Sequence, residues 1–121
     1  MATITSRGRA LAAVKAQTDA FKKARATGRA DITVCAVSPG MQLAIANIYG
    51  YTGGNANKKQ LRKTKMLFDA VIPELDLLAG KFKIIVGDFN VDIQKLNACR
   101  ELIAQGWVDL GASAEIWGKT K

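Results

Sequence analysis

The residue types that could do chemistry together are concentrated at Gly87-Asp88-Phe89-Asn90, directly after the apolar, β-branched run Phe82-Lys83-Ile84-Ile85-Val86. A strand ending in this way delivers a carboxylate and an amide to the rim of a sheet. If the extended backbone persists past Gly87, the period of two points Asp88 and Asn90 the same way and sends Phe89 toward the core. The carboxylate can hold Mg²⁺ or position a water, and the amide can donate to a phosphoryl oxygen. Gly, Asp and Asn are also common turn residues, so the segment reads equally as a strand-to-loop turn.

A second strand-like run, residues 41–49, ends in Asn47-Ile48-Tyr49 and leads into a glycine-containing loop, Tyr51-Thr52-Gly53-Gly54-Asn55. Residues 30–37 form a strand before it, and Ser38-Pro39-Gly40 is a turn signal, so the two strands are expected as an antiparallel hairpin. Asn55 or Asn57 can cap a helix running to about Leu78, with Leu61, Phe68, Val71 or Ile72, Leu75 and Leu78 at helical spacing. Pro73 is expected to kink or restart that helix, with Gly80 ending it and Lys81 beginning the next strand. Residues 93–105 read as a further amphipathic helix, with Leu96, Cys99, Leu102 and Ile103 inward. Trp107, Val108 and Leu110 then make a last apolar contact. Residues 8–27 have high helix propensity, with Leu11, Val14 and Phe21 near one face.

The order of these elements resembles the middle of the endonuclease/exonuclease/phosphatase superfamily, the fold of pancreatic deoxyribonuclease and the abasic-site endonucleases. The resemblance rests on Asn47-Ile48-Tyr49 and on Gly87-Asp88-Phe89-Asn90-Val91-Asp92, and covers roughly residues 29–111. It implies an α/β (α+β) fold forming part of a four-layer sandwich, in which residues 10–14 would be a strand rather than a helix. It also implies Mg²⁺- or Mn²⁺-dependent hydrolysis of phosphoesters. Asp88 would then hold the metal and orient or deprotonate the attacking water, Asn90 would hold the phosphate, and Tyr49 would stand near it. The chain departs from the family pattern at both ends. It has no histidine, where the family carries Asp-His near the C-terminus, and no early Gln-x-Glu; Gln17-Thr18-Asp19 reads better as a solvated helix face. The expectation is therefore a partial domain at residues 30–111, between a basic lead-in at 1–29 and a loose tail at 112–121. It would be a fragment of an endonuclease, weak or inactive alone, a basic remnant that binds nucleic acid without cutting it, or a plain α/β structural fragment in which Asp88 forms a turn. In a partial sandwich the sheet face of Ile45, Ile48, Ile84 and Val86 would lack its partner layer.

Charge is uneven along the chain. Residues 1–30 hold seven basic residues and one acid, and Lys58, Lys59, Arg62, Lys63 and Lys65 form a second acid-free cluster; together these stretches account for the net charge of +8. Such patches attract polyanions, which makes nucleic acid the expected partner and Lys58, Lys59, Arg62 and Lys63 its expected contacts. Hydrophobic residues at 49% and charged residues at 23% describe an ordinary globular chain. No run approaches the ~20 apolar residues of a membrane span, and the first residues lack a secretory core, so a nuclear or cytoplasmic protein is expected. Cys35 and Cys99 have no metal-binding spacing and read as reduced, partly buried thiols.

Overall fold

The computed structural model describes residues 11–78 and 82–111. Its centre is the hairpin of β2 (Ala30–Ser38) and β3 (Met41–Ile48), whose antiparallel register runs from Ala30 opposite Ile48 to Ser38 opposite Met41. A bulge between Ala36 and Ser38 leads into the turn, where Gly40 takes φ +77°, a value a branched side chain resists. β1 (Leu11–Ala13) pairs antiparallel to β2, and β4 (Phe82–Val86) pairs parallel to β3, giving one four-stranded sheet in the order β1-β2-β3-β4. With three α-helices beside this sheet among the described residues, the chain has a mixed α+β fold.

Residues 8–27 are not one helix. The ladder to β2 takes Leu11–Ala13 and continues in the bond from Val14 N–H to the Ile32 carbonyl. Helix α1 (Asp19–Ala26) begins only after Thr18, which is extended and accepts the Phe21 N–H at its hydroxyl. Strand pairing and a cap therefore override the helix propensity of the first half of that segment. Asp19 is solvated, as expected, with only a long contact to Lys22.

Helix α2 (Lys58–Asp76) is capped by Asn57, whose side chain accepts from Lys59 and Gln60 N–H. Pro73 does not restart it: the residue lies in the last turn and the helix continues to Asp76. The expected helix over 93–105 is two pieces. Asp92 caps a single 3-10 turn (Ile93–Lys95), Leu96 is extended and buried, and α3 (Asn97–Ala104) follows. Burying Leu96 as a fixed anchor breaks the helical repeat there. The expected helix stop at Gly80, the strand start at Lys81 and the tail at 112–121 lie outside the described residues.

All three helices pack on one sheet face. Ala30 and Ile32 of β2 and Ala44, Ala46 and Ile48 of β3 share one buried cluster with Phe21 and Ala24, Leu67, Phe68, Val71 and Leu75, and Leu96 and Cys99. Trp107 packs against this cluster, whereas Val108 and Leu110 are exposed. Ile48 is fully buried under the helices and does not belong with Ile45, Ile84 and Val86. Those three alternate to the opposite face, where Thr33, Ile45 and Ile84 stand side by side and none joins the helix-side core.

Candidate functional site

Because β3 and β4 are parallel neighbours, their C-terminal ends emerge together. Asn47 lies opposite Val86, so Tyr49-Gly50 and Gly87-Asp88 leave the sheet side by side. In α/β sheets this rim, beyond the carboxyl ends of parallel strands, is where ligands bind.

Two glycines allow the strand ends to touch. A Cβ on Gly87, which has φ +138°, would lie 1.9 Å from the Ile48 carbonyl oxygen, and a Cβ on Gly50 would lie 1.9 Å from that of Phe89. Through this contact Gly50 N–H donates to the Asp88 carbonyl at 2.7 Å. The Asn90 side-chain amide donates to the Gly50 carbonyl at 2.9 Å, and Arg29 Nη1 donates to the same oxygen at 3.1 Å.

The extended conformation does not persist past Gly87. Asn90 is left-handed, with φ +53°, and its N–H donates to Asp88 Oδ1 at 3.2 Å, closing a turn on the Asp88 side chain. The structure thus brings Asp88 and Asn90 together through a turn rather than a strand period. Phe89 does turn inward, meeting Phe68 edge-to-face at 5.0 Å. Asp88 is exposed, and its turn bond uses one of the several acceptor positions of a carboxylate. The Asn90 amide carries two hydrogens, of which the bond to Gly50 uses one.

The loop of residues 51–57 is held against this turn. Asp92 N–H donates to Asn55 Oδ1 and Lys95 Nζ to the Asn55 carbonyl, both at 2.9 Å. A Cβ on Gly54 would lie 3.1 Å from the Asn90 carbonyl oxygen. Tyr51 N–H donates to the hydroxyl of fully buried Thr64 in α2. The close approach that Gly54 permits is thus made to the chain's own Asn90 and Val91.

Tyr49 is 44% exposed at the end of β3, beside Asp88 in the fold. Lys58, Lys59, Arg62 and Lys63 lie exposed on the first turns of α2, with no acid there to complement the helix N-terminus. Sequence reasoning missed Arg29. Its guanidinium lies 4.9 Å from the Tyr49 ring centroid and 4.1 Å from that of Tyr51, and Lys63 Nζ lies 5.2 Å from the Tyr51 ring. An arginine immediately before a strand, with tyrosines flanking Gly50 at that strand partner's end, is the sequence trace of this cluster.

Glu74, also missed, is a buried carboxylate inside α2. It accepts Gln17 N–H, Thr18 N–H and the Thr18 hydroxyl at 2.8–3.0 Å. Burial pushes its pKa up, but these hydrogen bonds and the Arg25 charge outweigh burial and hold it below the usual carboxylate value.

No group of three His, Cys, Asp or Glu side chains able to hold a metal ion exists among the described residues. Asp92 caps the 3-10 turn through one carboxylate oxygen, and Glu74 is tied to Gln17 and Thr18. No described helix is long and apolar enough to cross a membrane. No protein-family model, curated protein or solved structure matches the chain.

Proposed function

We propose that this chain carries the central part of a phosphoesterase-type site that engages nucleic-acid phosphates, and that alone it cleaves them weakly or not at all. The observation that carries this reading is the locked turn at the parallel strand ends. Asp88 is presented to solvent there while Asn90 and Gly50 fix the backbone beneath it. An exposed, positioned carboxylate can accept a proton from an attacking water, and an amide beside it can donate to the anion that develops. Tyr49 at the same rim and the cations Lys58, Lys59, Arg62 and Lys63 suit a polyanionic substrate.

Divalent metal chemistry would need anionic ligands beyond Asp88. For Mg²⁺ or Mn²⁺, substrate phosphates supply part of the shell in many sites, but a lone carboxylate binds such an ion poorly before substrate arrives. Weak activity follows. The single sheet with helices on one face would be half of a four-layer sandwich, its Ile45–Ile84 face awaiting a second sheet. The two free, buried cysteines accord with a reducing nuclear or cytoplasmic setting.

The test is nicking of supercoiled DNA in Mg²⁺ and in Mn²⁺, with Asp88→Ala as control. Little conversion and retarded migration that weakens with salt are expected. Robust cleavage abolished by Asp88→Ala would overturn the weak-activity part of the proposal. Neither cleavage nor retardation would overturn the whole.

A further inference from the structure

Arg29, Tyr49, Tyr51 and Lys63 come from three separate parts of the chain, yet they form one continuous ladder. Its order is ring, guanidinium, ring, ammonium, with centroid distances of 4.9, 4.1 and 5.2 Å. One end stands at the rim occupied by Asp88, because Arg29 and Asn90 share the Gly50 carbonyl. The other end enters the basic face of α2. Beside Tyr51 and Lys63 opens a groove of about 570 Å³ between α1 and α2, lined also by Lys23, Thr27, Met66 and Asp69. That volume falls within the range of small-ligand sites.

From this arrangement we infer that the ladder is a stacking surface for unpaired nucleotides, so that the chain prefers single-stranded to duplex nucleic acid. Tyr49, at the end of the ladder and 44% exposed, offers a ring face that any base can use irrespective of sequence, while Lys63, Arg62 and Lys59 meet the backbone phosphates. A duplex hides its base faces and would engage only the cations. Charge alone would make a basic patch; the exposed Tyr49 ring makes the patch selective for unstacked bases, and Tyr51, packed against the core, holds the Arg29 guanidinium that backs it. The inference rests on the phosphate-engaging reading above for the kind of ligand, but its test requires no cleavage.

The experiment is fluorescence anisotropy in EDTA with a labelled short oligothymidylate, a duplex of equal length, and heparin as a competitor that has charge but no bases. The single strand is expected to bind more tightly than the duplex and to resist heparin better. Tyr49→Ala and Tyr51→Leu are each expected to weaken single-strand binding roughly five- to hundredfold, leaving the salt dependence nearly unchanged. Lys63→Gln is expected to reduce the slope of log affinity against log salt by about 0.7. Thermal melts control for folding. Should Tyr51→Leu unfold, the more exposed Tyr49 decides the matter. Equal affinity for duplex and single strand, or tyrosine variants that melt normally and bind like the parent, would overturn the inference. Asp88-dependent nicking in that case would leave the phosphoester reading standing.

Discussion

The side-chain amide of Asn90 donates to the Gly50 carbonyl at 2.9 Å, tying the end of β4 to the end of β3 across forty positions of sequence. Asn90 is the one described non-glycine residue with positive φ, and asparagine tolerates that conformation better than other side chains. The residue that would face a phosphate is thus also the one that shapes the turn presenting Asp88.

This dual role predicts an order of stability in which Asn90 exceeds Gly and Gly exceeds Ala. Asn90→Gly loses a hydrogen bond to a carbonyl that keeps Arg29 as donor, at a cost of about 1 kcal/mol. Asn90→Ala adds left-handed strain of about 1 kcal/mol more. Urea midpoints at constant m-value report both. An alanine variant as stable as the glycine variant would show that the turn relaxes.

The reciprocal glycine contacts predict a sharper effect. Gly50→Ala and Gly87→Ala would each place a methyl 1.9 Å from a carbonyl oxygen of the facing segment. Backbone cannot move aside as a side chain can, so each should destabilise by about 3 kcal/mol or more. Gly53→Ala is the control: it has φ +89° but nothing within 4 Å of the added methyl. It should cost only about 1–2 kcal/mol of conformational strain. Comparable losses in all three variants would mean that φ, and not close approach, sets the requirement.

Cys99 should be unreactive in the folded protein. Burial, and then the Asp109 charge, pushes its thiol up to about 11, and the thiolate is the nucleophile. At pH 8 the thiolate is therefore about a thousandth of the population. A disulfide-exchange reagent should label Cys99 no faster than the protein opens and at once in urea, as read by mass spectrometry of the Cys99 peptide. Rapid native labelling of that peptide would show that α3 opens locally.

The regular elements were legible because their signals are local. Ser38-Pro39-Gly40 marks the turn of the β2–β3 hairpin, the Asn55/Asn57 pair marks the α2 start, with Asn57 the actual cap, and the Phe82–Val86 run is β4. What escaped sequence reasoning depends on contacts between distant positions. Composition alone made the segment before Thr18 helical; the strand that the resemblance implied at residues 10–14 is the reading its pairing with β2 bears out. Leu96 interrupts an apparent helix because it is buried against elements that periodicity does not see. At the site, Asp88, Asn90 and Tyr49 stood out by type and by their place at strand ends. Arg29 did not, because its partners at Tyr49, Gly50 and Tyr51 meet it only after the hairpin folds back. Glu74 lies within the stretch expected as a helix, but only tertiary packing against Gln17 and Thr18 seals it.

Glu74 carries the clearest dependence on pH. It is 1% exposed and receives three hydrogen bonds from Gln17 and Thr18 at the start of α1, where the positive end of the helix also favours an anion. Its pKa in the fold lies below the ordinary 4.5, so the folded state holds this proton less tightly than the unfolded chain. The stabilisation is then complete above about pH 4.5 and drains away as pH falls through the lower, folded value. Glu74→Gln replaces one acceptor oxygen with an amide that faces an N–H donor. It should destabilise by about 1–3 kcal/mol at pH 7. At an acid pH below the lower, folded value the parent protonates the same group, and the gap between parent and variant should narrow. Melts of both proteins at the two pH values give the comparison directly. Other carboxylates titrate in both proteins and cancel in the difference. A gap equally wide at low pH would mean that Glu74 acts through packing alone and that its carboxylate charge contributes nothing to anchoring residues 17 and 18 on α2.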